Sequence, residues 1–302
     1  MSQFYDQASL VMVPSGYKNG KVYSQKPLST DGELTFTRAS NATRVGPDGL
    51  IEKVRTNVML QSNSFSDASW TKLAASITGG QTGYDGLSNA WLLENNSGTF
   101  TTTRLQQSIS ASSSLYTFSI YAKAGTTDIM RILIYDGTTS RQSWFNFTLG
   151  TFSDTASLVS TFAESVGGGW YRISITAQSV LVNAAVYPCA AAGSSFSDIG
   201  DNILIQNAQL EVSDFGATDY IPTTTSAVSV GPLANIPRLN YGSDGCPSLL
   251  LEPQRTNLVT FSEQFDNASW TKGGVTISAN TSATLDPSGY NGSDKLVEDS
   301  ST

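Results

Sequence analysis

The chain contains no histidine in its 302 residues. Without histidine there can be no Ser-His-Asp or Cys-His nucleophile system and no histidine zinc site, and the commonest general base near neutral pH is missing. Reactions run by two carboxylates, such as glycoside hydrolysis, are the enzyme chemistry that remains. We therefore expect a protein that is not an enzyme.

Cysteine is nearly as scarce, because Cys189 and Cys246 are the only two. Two cysteines are too few for a disulfide scaffold, and they lie too far apart in sequence for a zinc knuckle. We expect two buried or unreactive thiols, with a structural disulfide as the alternative.

Charged residues make up only 14% of the chain, and the net charge is −8. Nucleic-acid affinity depends mainly on clustered Lys and Arg that release counterions, so nucleic acid is not an expected partner. The first residues, MSQFYDQASLVMVPSG, carry no basic region and only a short apolar run. They resemble neither a signal peptide nor a membrane anchor, and we expect no membrane insertion.

Hydrophobic residues make up 39% of the chain, which is enough to build packed cores. Short runs typical of β-strands recur between turn residues, and helical periodicity is almost absent. The runs are residues 116–123, 130–136, 143–149, 170–176, 184–188 and 203–212. This pattern indicates an all-β fold, an antiparallel jelly-roll β-sandwich.

An internal repeat is the clearest feature of the sequence. Residues 52–72 (EKVRTNVMLQSNSFSDASWTK) match residues 252–272 (EPQRTNLVTFSEQFDNASWTK) at 11 of 21 positions, where chance would give about one or two. Arg55, Asn57 and Trp70 of the first copy recur as Arg255, Asn257 and Trp270 of the second. The similarity continues weakly to Leu92 and Glu94, which resemble Leu296 and Glu298. We expect the two tryptophans to plug a core edge rather than to bind a ligand.

These observations predict three segments. Residues 1–55 are expected to be an N-terminal arm that packs on a neighbouring subunit or on another partner protein, with a disordered leader as the alternative. Residues 56–222 form the β-sandwich, and residues 223–302 form a linker and the start of a second, truncated repeat. Because half a sandwich cannot bury its apolar face, we expect the chain to continue beyond Thr302 or this segment to dock elsewhere.

Successive side chains of a strand point to opposite sides of a sheet. One side of the predicted sheets is uniformly apolar and is formed by Phe118, Ile120, Ala122, Met130, Ile132, Ile134, Phe145, Phe147, Tyr171, Ile173 and Ile175. The other side carries rings, amides and guanidinium groups, namely Tyr121, Arg131, Tyr135, Trp144, Asn146 and Arg172. Sugars bind to such surfaces because their C–H faces stack on rings and their hydroxyls need directional partners. Protein interfaces favour the same residues, so glycan binding, subunit packing and a solvated surface all remain open.

Five acidic residues could supply a calcium site or a glycosidase pair: Asp85, Glu94, Asp136, Glu164 and Glu211. Scattered loop carboxylates are usually only solvated. We therefore predict no catalytic residue and no cofactor, with a structural calcium ion as the remaining alternative.

Four segments resemble virion proteins of tailed phages. ASLVMVPSGYKNGKVYSQKP, followed by LTFTRASNATRVGPDGLIE, is similar to the opening of virion proteins from crAss-like phages of gut bacteria. IPRLNYGSDGCPSLLLEPQRTNLVTFSEQFDNASWTK and IQNAQLEVSDFGATDYIPTTTSAV resemble the first and last strands of a galactose-binding or carbohydrate-binding-module-like sandwich common in phage fibres. The first copy has RTNVMLQS without a preceding SLLLEPQ block, so we expect its first strand to be rearranged.

The resemblance implies a homotrimeric fibre or spike on the tail or head of a virion, assembled in the host cytoplasm and acting outside the cell. It implies attachment to host surface polysaccharide, and the N-terminal arm would hold other virion proteins. Two alternatives stay open. The chain could be the N-terminal part of a tailspike depolymerase, or a purely architectural decoration protein of the capsid or tail.

Overall fold

The computed structural model describes residues 3–18, 20–97, 101–213, 216–253, 255–281, 284–290 and 292–299. The helical elements of this part are α1 (Gln3–Gln7) and a 3-10 turn at Thr30–Gly32. The first strands are β1 (Val11–Lys18), β2 (Lys21–Lys26), β3 (Leu34–Thr35), β4 (Arg44–Val45), β5 (Ile51–Glu52), β6 (Arg55–Asn57), β7 (Thr71–Leu73), β8 (Ala75–Gln81), β9 (Ala90–Asn95), β10 (Thr101–Thr102), β11 (Arg104–Ala124) and β12 (Ile129–Tyr135). The remaining strands are β13 (Ser140–Asn146), β14 (Thr151–Ser153), β15 (Ser160–Gly167), β16 (Trp170–Cys189), β17 (Phe196–Ser197), β18 (Asn202–Val212), β19 (Val228–Val230), β20 (Leu239–Tyr241), β21 (Pro247–Leu249), β22 (Val275–Ser278) and β23 (Lys295–Glu298).

The chain forms two compact units. One unit is Thr56–Val228, and the other combines Met1–Arg55 with Ser229–Thr302. In the combined unit, Arg38 joins the two parts of the chain, because its Nη2 donates hydrogen bonds to the carbonyl oxygens of Pro232 (3.0 Å) and Ile236 (3.1 Å). The predicted N-terminal arm thus folds together with the C-terminal segment of its own chain, while its attachment to a virion partner stays a prediction. No helix in the described ranges is long and apolar enough to cross a membrane.

The two longest strands, β11 and β16, organise the sandwich. They pair antiparallel from Leu105 opposite Val186 to Lys123 opposite Trp170, with an irregular register around Ala111. On one side of the irregularity the pairing gives a first sheet in the order β7-β11-β16-β12-β13-β14, and on the other side a second sheet in the order β15-β16-β11-β18-β9-β8. The runs 170–176 and 184–188, predicted as separate strands, are therefore parts of one strand, β16.

The inner faces of both sheets meet in one apolar core. The core contains the side chains that strand alternation assigns to the inner face, namely Phe118, Ile120, Ala122, Met130, Ile132, Ile134, Phe145, Phe147, Ile173 and Ile175, with Tyr171 packed against them. Alternation selects this face because residues two apart in a strand lie on the same side of a sheet. The predicted all-β jelly-roll sandwich is confirmed.

A buried asparagine holds the segment that opens the sandwich. Asn57 Nδ2 donates hydrogen bonds to the carbonyl oxygens of Ile221 (2.8 Å) and Ala208 (3.3 Å). Its Oδ1 accepts from the backbone N–H groups of Met59 and Leu210, both at 3.1 Å. One side chain therefore joins three segments that are distant in sequence.

The turn that follows Asn57 recurs in the second copy of the repeat. Trp70 Nε1 donates to the carbonyl oxygen of Gln61 at 3.0 Å, and Trp270 Nε1 donates to that of Phe261 at 2.8 Å. Both acceptor residues have a positive φ, which is 48° at Gln61 and 52° at Phe261. The predicted start of a second repeat thus has the local structure of the first.

The strands after this turn also recur. Ile277 of β22 lies opposite Leu296 of β23, just as Ile77 of β8 lies opposite Leu93 of β9. This register corrects the sequence comparison, which matched Leu296 with Leu92, because the second copy has a turn of different length. Both copies form the same hairpin.

The remaining repeat residues lie in the combined unit. Arg55 Nη1 donates to the hydroxyl of Tyr290 at 3.2 Å. Arg255 is exposed and lines a cleft of about 900 Å³ together with Arg38, Arg238 and residues 250–253. The pKa of Arg38 is lowered. The main cause is burial of its guanidinium, and the second is the positive charge of the neighbouring Arg238.

Both cysteines are free thiols. Cys189 is buried, as expected, whereas Cys246 is exposed and is not the second buried thiol that the sequence predicts. Burial raises the pKa of the Cys189 thiol to about 12. Because the thiolate is the reactive form, we expect one thiol per native chain to react with DTNB and two after unfolding in guanidinium chloride. Cys246→Ser should abolish the native reaction, whereas Cys189→Ser should leave it unchanged. A native count of two would contradict the burial of Cys189.

Candidate functional site

The structure divides the predicted binding residues between the outer faces of the two sheets. Tyr121 of β11 and Arg172 of β16 lie opposite each other on the second sheet. Arg131 of β12 and Trp144 of β13 lie opposite each other on the first sheet. The single ligand surface expected from strand alternation is thus two separate clusters.

The cluster on the first sheet, here called the arginine cage, consists of Arg131, Trp144 and Tyr187. The Arg131 Cζ lies 4.4 Å from the ring centroid of Tyr187 and 5.7 Å from that of Trp144. Its Nη1 donates to Ser195 Oγ at 2.7 Å, and its Nη2 donates to Gln142 Oε1. The guanidinium is therefore held between two aromatic rings and two polar partners.

The arginine cage is closed to solvent. Trp144 is 3% exposed and Arg131 is 7% exposed, and Trp144 Nε1 donates to the carbonyl oxygen of Ser194. Burial is the largest cause of a lowered pKa at Arg131 and of a raised pKa at Tyr187. These side chains do point away from the main core, but the chain after β16 folds back over them. The cage is a second small core, so it is not the open docking surface expected at these two positions.

Two further predicted residues lie near the edges of the first sheet. Tyr135 is partly buried against the second core, and its hydroxyl donates to the carbonyl oxygen of Gly137 at 2.6 Å. Asn146 ends β13, and its Oδ1 accepts from the backbone N–H of Leu149 at 2.8 Å. Both side chains therefore form bonds within their own turns.

The cluster on the second sheet, here called the tyrosine–arginine site, is partly open to solvent. It consists of Tyr84, Tyr121 and Arg172, all of intermediate exposure. The two tyrosine rings stack, with centroids 4.1 Å apart and planes inclined by 11°. The Arg172 Cζ lies 5.4 Å from the Tyr121 centroid. Burial raises the pKa of Tyr121, and the positive charge of Arg172 opposes this rise.

A β-bulge supplies the site with polar groups. Ser119 pairs with Gln209 and Tyr121 pairs with Gln206, so β18 has one extra residue at this point. Asn207 takes a positive φ of 53° there, a conformation that asparagine tolerates better than most residues. Because a bulge shifts the alternation by one, Gln206 and Asn207 are both excluded from the apolar core, which resumes at Ala208.

The Gln206 side chain connects the bulge to the loop that carries Tyr84. Its Oε1 accepts from the backbone N–H of Tyr84 at 3.2 Å, and its Nε2 donates to Asn89 Oδ1 at 2.8 Å. Asp85 in turn accepts from Asn89 Nδ2 at 2.8 Å. A Cβ at Gly83 would lie 2.3 Å from Gln206 Oε1 and 2.5 Å from Asn89 Oδ1, so a larger residue here would displace these two side-chain ends.

The segment after β18 closes one end of the tyrosine–arginine site. Arg172 Nη2 donates to the carbonyl oxygen of Thr218, and Thr218 is fixed by Glu211, whose Oε1 accepts its backbone N–H at 2.8 Å. Tyr220 lies nearby, and burial raises the pKa of its hydroxyl to about 12. The Arg172 Nε has no hydrogen-bond partner in the described part of the chain. The site thus combines aromatic rings with donors and acceptors in fixed positions.

The acidic residues considered for calcium or catalysis are mostly engaged in separate local bonds. Asp136 pairs with Arg141 at 2.5 Å, and Glu94 accepts from Asn202 Nδ2 at 3.4 Å. Within the described ranges, no group of three or more His, Cys, Asp or Glu side chains could hold a metal ion.

No family model matches the chain, and no curated protein sequence matches it. Solved structures resemble part of it. The enzymatically active domain of bacteriophage CBA120 tailspike protein 4 has 16% identity and a TM-score of 0.30, over 50% of this chain and 20% of the other. The carbohydrate-binding module TmCBM61, solved with β-1,4-galactotriose, has 12% identity and a TM-score of 0.33, over 51% of this chain and 97% of the other.

A further match is a point mutant of the family 29 carbohydrate-binding module CBM29-2, at 9% identity and a TM-score of 0.34, over 56% of this chain and 99% of the other. This chain therefore spans about one fifth of the tailspike structure and nearly all of each binding module. The likeness is partial, and the assignment of the sandwich rests on its own strand pairing.

Sequence reasoning found Tyr121 and Arg172 but missed Tyr84, Gln206 and Asn207. One signal was available in the run 203–212, where core residues Ile203 and Ile205 are followed by Ala208 and Leu210. This change of phase indicates a bulge between them. Tyr84 lies in a loop between two glycines, and the only signal for it is the internal repeat, in which Gly83, Tyr84 and Gly86 resemble Gly289, Tyr290 and Gly292; this repeat indicates a shared turn and not a binding role.

Proposed function

We propose that the chain is a non-enzymatic, fibre-type subunit of a phage virion that binds host surface glycan through the tyrosine–arginine site. The observation that carries the proposal is the partly exposed pair of stacked rings, Tyr84 and Tyr121, next to Arg172 and the Asp85–Asn89 pair. The virion role rests on the sequence resemblance of the opening and repeat segments to phage structural proteins.

The chemistry of the site suits a neutral or weakly acidic saccharide. Ring faces and ring edges contact the apolar C–H groups of a sugar, while amide and guanidinium groups bond its hydroxyls or a carboxylate. Each contact is weak. A homotrimeric fibre would bring three sites to one surface, and multivalent attachment then needs only modest affinity per site.

The test is a glycan array followed by titration of the best saccharide against Tyr84→Ala and Tyr121→Ala. Loss of one ring contact should weaken binding about tenfold, which corresponds to about 1.4 kcal/mol. The matched control is Phe162→Ala, because Phe162 is an exposed ring of β15 on the same sheet and lies outside the tyrosine–arginine site. This variant should bind as the wild type does.

Other outcomes separate the alternatives. No binding to any host polysaccharide would contradict adhesion and favour an architectural role. Release of reducing ends from purified capsule by the chain would contradict the non-enzymatic assignment. Equal losses in Tyr84→Ala and Phe162→Ala would contradict the assignment of the site.

A further inference from the structure

The outer face of the first sheet continues beyond the arginine cage as a row of four residues on four neighbouring strands. Gln106 of β11 lies opposite Ala185 of β16. Leu133 of β12 lies opposite Ala185 on one side and opposite Gln142 of β13 on the other. The two glutamines are partly exposed, and they are about 14 Å apart, because neighbouring strands are about 4.8 Å apart. This set, here called the glutamine row, is long enough for an extended ligand.

Each glutamine of the row accepts a hydrogen bond from an arginine. Arg104 Nε donates to Gln106 Oε1 at 2.6 Å, and Arg131 Nη2 donates to Gln142 Oε1. Because arginine has donors only, these bonds hold each amide oxygen towards its arginine and turn each amide nitrogen away from it. Within the described residues, neither Nε2 atom forms a hydrogen bond. The row therefore offers N–H donors at both ends.

The two arginines bring positive charge to this face without a compensating carboxylate. Arg104 is partly exposed, and Arg131 is 7% exposed. In the part of the chain that the structure describes, neither forms an ion pair. Burial raises the pKa of Tyr187, and the positive charges of Arg131 and Arg104 oppose this rise, so both cations lie close to one ring. Since an arginine side chain stays charged in proteins, an anion at this face would be bound favourably.

The next row of the same face is polar and uncharged. It is formed by Ser108, Asn183, Tyr135 and Ser140. Neither this row nor the glutamine row contains Asp or Glu, although the chain has a net charge of −8. A surface lined by charges of one sign raises the local concentration of the opposite ion. The face thus combines an attraction for anions with hydroxyl and amide groups.

We propose that the outer face of the first sheet is a second binding surface, in which Arg104 and the glutamine row hold an acidic saccharide of the uronate class. Arg104 donates to the ligand carboxylate, and the amide nitrogens of Gln106 and Gln142 donate to its other oxygens. Hydrogen bonds to an ionised group are roughly twice as strong as neutral ones. A peptide fits less well, because the apolar members of the row, Ala185 and Leu133, are buried and offer no pocket for its side chains.

The test is calorimetric titration of the full chain with an oligogalacturonate and with its methyl ester, which has the same rings without the charge. The acid should bind at least about tenfold more tightly than the ester. This preference should shrink as sodium chloride is raised from about 0.05 to about 0.5 M, because salt screens the attraction. Equal affinities for acid and ester, or no binding of the acid at about 1 mM, would overturn the proposal.

Glutamine-to-glutamate variants locate the site. Gln106→Glu keeps an acceptor for Arg104 but replaces the free N–H donor by a negative charge, so binding of the acid should fall at least about tenfold. Gln142→Glu makes the same change at the other end of the row, where Arg131 keeps its acceptor, and should act alike. The matched control is Gln178→Glu, because Gln178 is exposed in the part of β16 that belongs to the second sheet. It should bind as the wild type does. Urea unfolding midpoints show whether each variant is folded.

The remaining outcomes separate this surface from the tyrosine–arginine site, on which the proposal does not depend. Equal losses in Gln106→Glu and Gln178→Glu would mean a general effect of charge and would overturn it. Loss of acid binding in Tyr84→Ala, with Gln106→Glu unchanged, would place the acid at the tyrosine–arginine site and overturn this proposal alone. Equally tight binding of polyglutamate would mean a surface for any anion, and would overturn the assignment to a saccharide.

Discussion

Asn57→Ala is expected to lower the free energy of unfolding of the sandwich unit by about 4 kcal/mol. The variant leaves two carbonyl oxygens and two N–H groups without the partner that Asn57 provides. The side chain is fully buried, so water cannot replace it without further opening of the structure. At about 1 kcal/mol for each lost hydrogen bond, the four bonds give the expected sum.

Urea unfolding followed by tryptophan fluorescence measures this loss, because Trp70, Trp91, Trp144 and Trp170 all lie in the sandwich unit. The repeat supplies the control, since Asn257→Ala removes the equivalent side chain where it is exposed. That variant should unfold within about 0.5 kcal/mol of the wild type. Equal losses in the two variants would contradict the role of burial.

The strands and their inner faces could be predicted because alternation is a local property. Ile132 and Ile134 lie two apart in one strand, and no information about distant residues is needed to place them on one face. The prediction of strand bounds and sheet membership failed where this signal is weak. In the Ser-rich residues 108–114 the apolar alternation is limited to Ile109 and Ala111, and there β11 passes from one sheet to the other with an irregular register.

The exposure of the outer face could not be predicted in the same way. Trp144 and Arg131 lie on the outer side of the first sheet, as strand alternation predicts. An irregular segment around Ser194 and Ser195 nevertheless covers them. Nothing periodic in that segment indicates where it folds. The pairing of Tyr84 with Tyr121 likewise depends on a loop and on the bulge at Asn207. The strand pattern therefore predicts which side chains lie on the outer face of a sheet, whereas the loops determine how much of that face is exposed to solvent.

Trp70→Ala should also destabilise the sandwich by about 4 kcal/mol, through the cavity that loss of a buried indole leaves. Trp70 is 2% exposed, and its ring packs edge-on against Phe65 with centroids 4.9 Å apart. Because both side chains belong to the main core, neighbouring residues can fill the space only by moving strands. The variant should therefore unfold at markedly lower urea concentration without a change of fold.

Trp270→Ala is the matched comparison, because Trp270 keeps the same hydrogen bond and a similar contact with Phe265 at 5.0 Å, while its side chain is partly exposed. We expect a loss of about 1 kcal/mol or less, since little apolar area leaves the interior. Far-UV circular dichroism is the suitable probe for both variants, as each removes a fluorescent residue. A large loss in Trp270→Ala would contradict the partial exposure of this side chain. The difference between the two tryptophans thus measures how much of the stability of the motif comes from the strands packed on it.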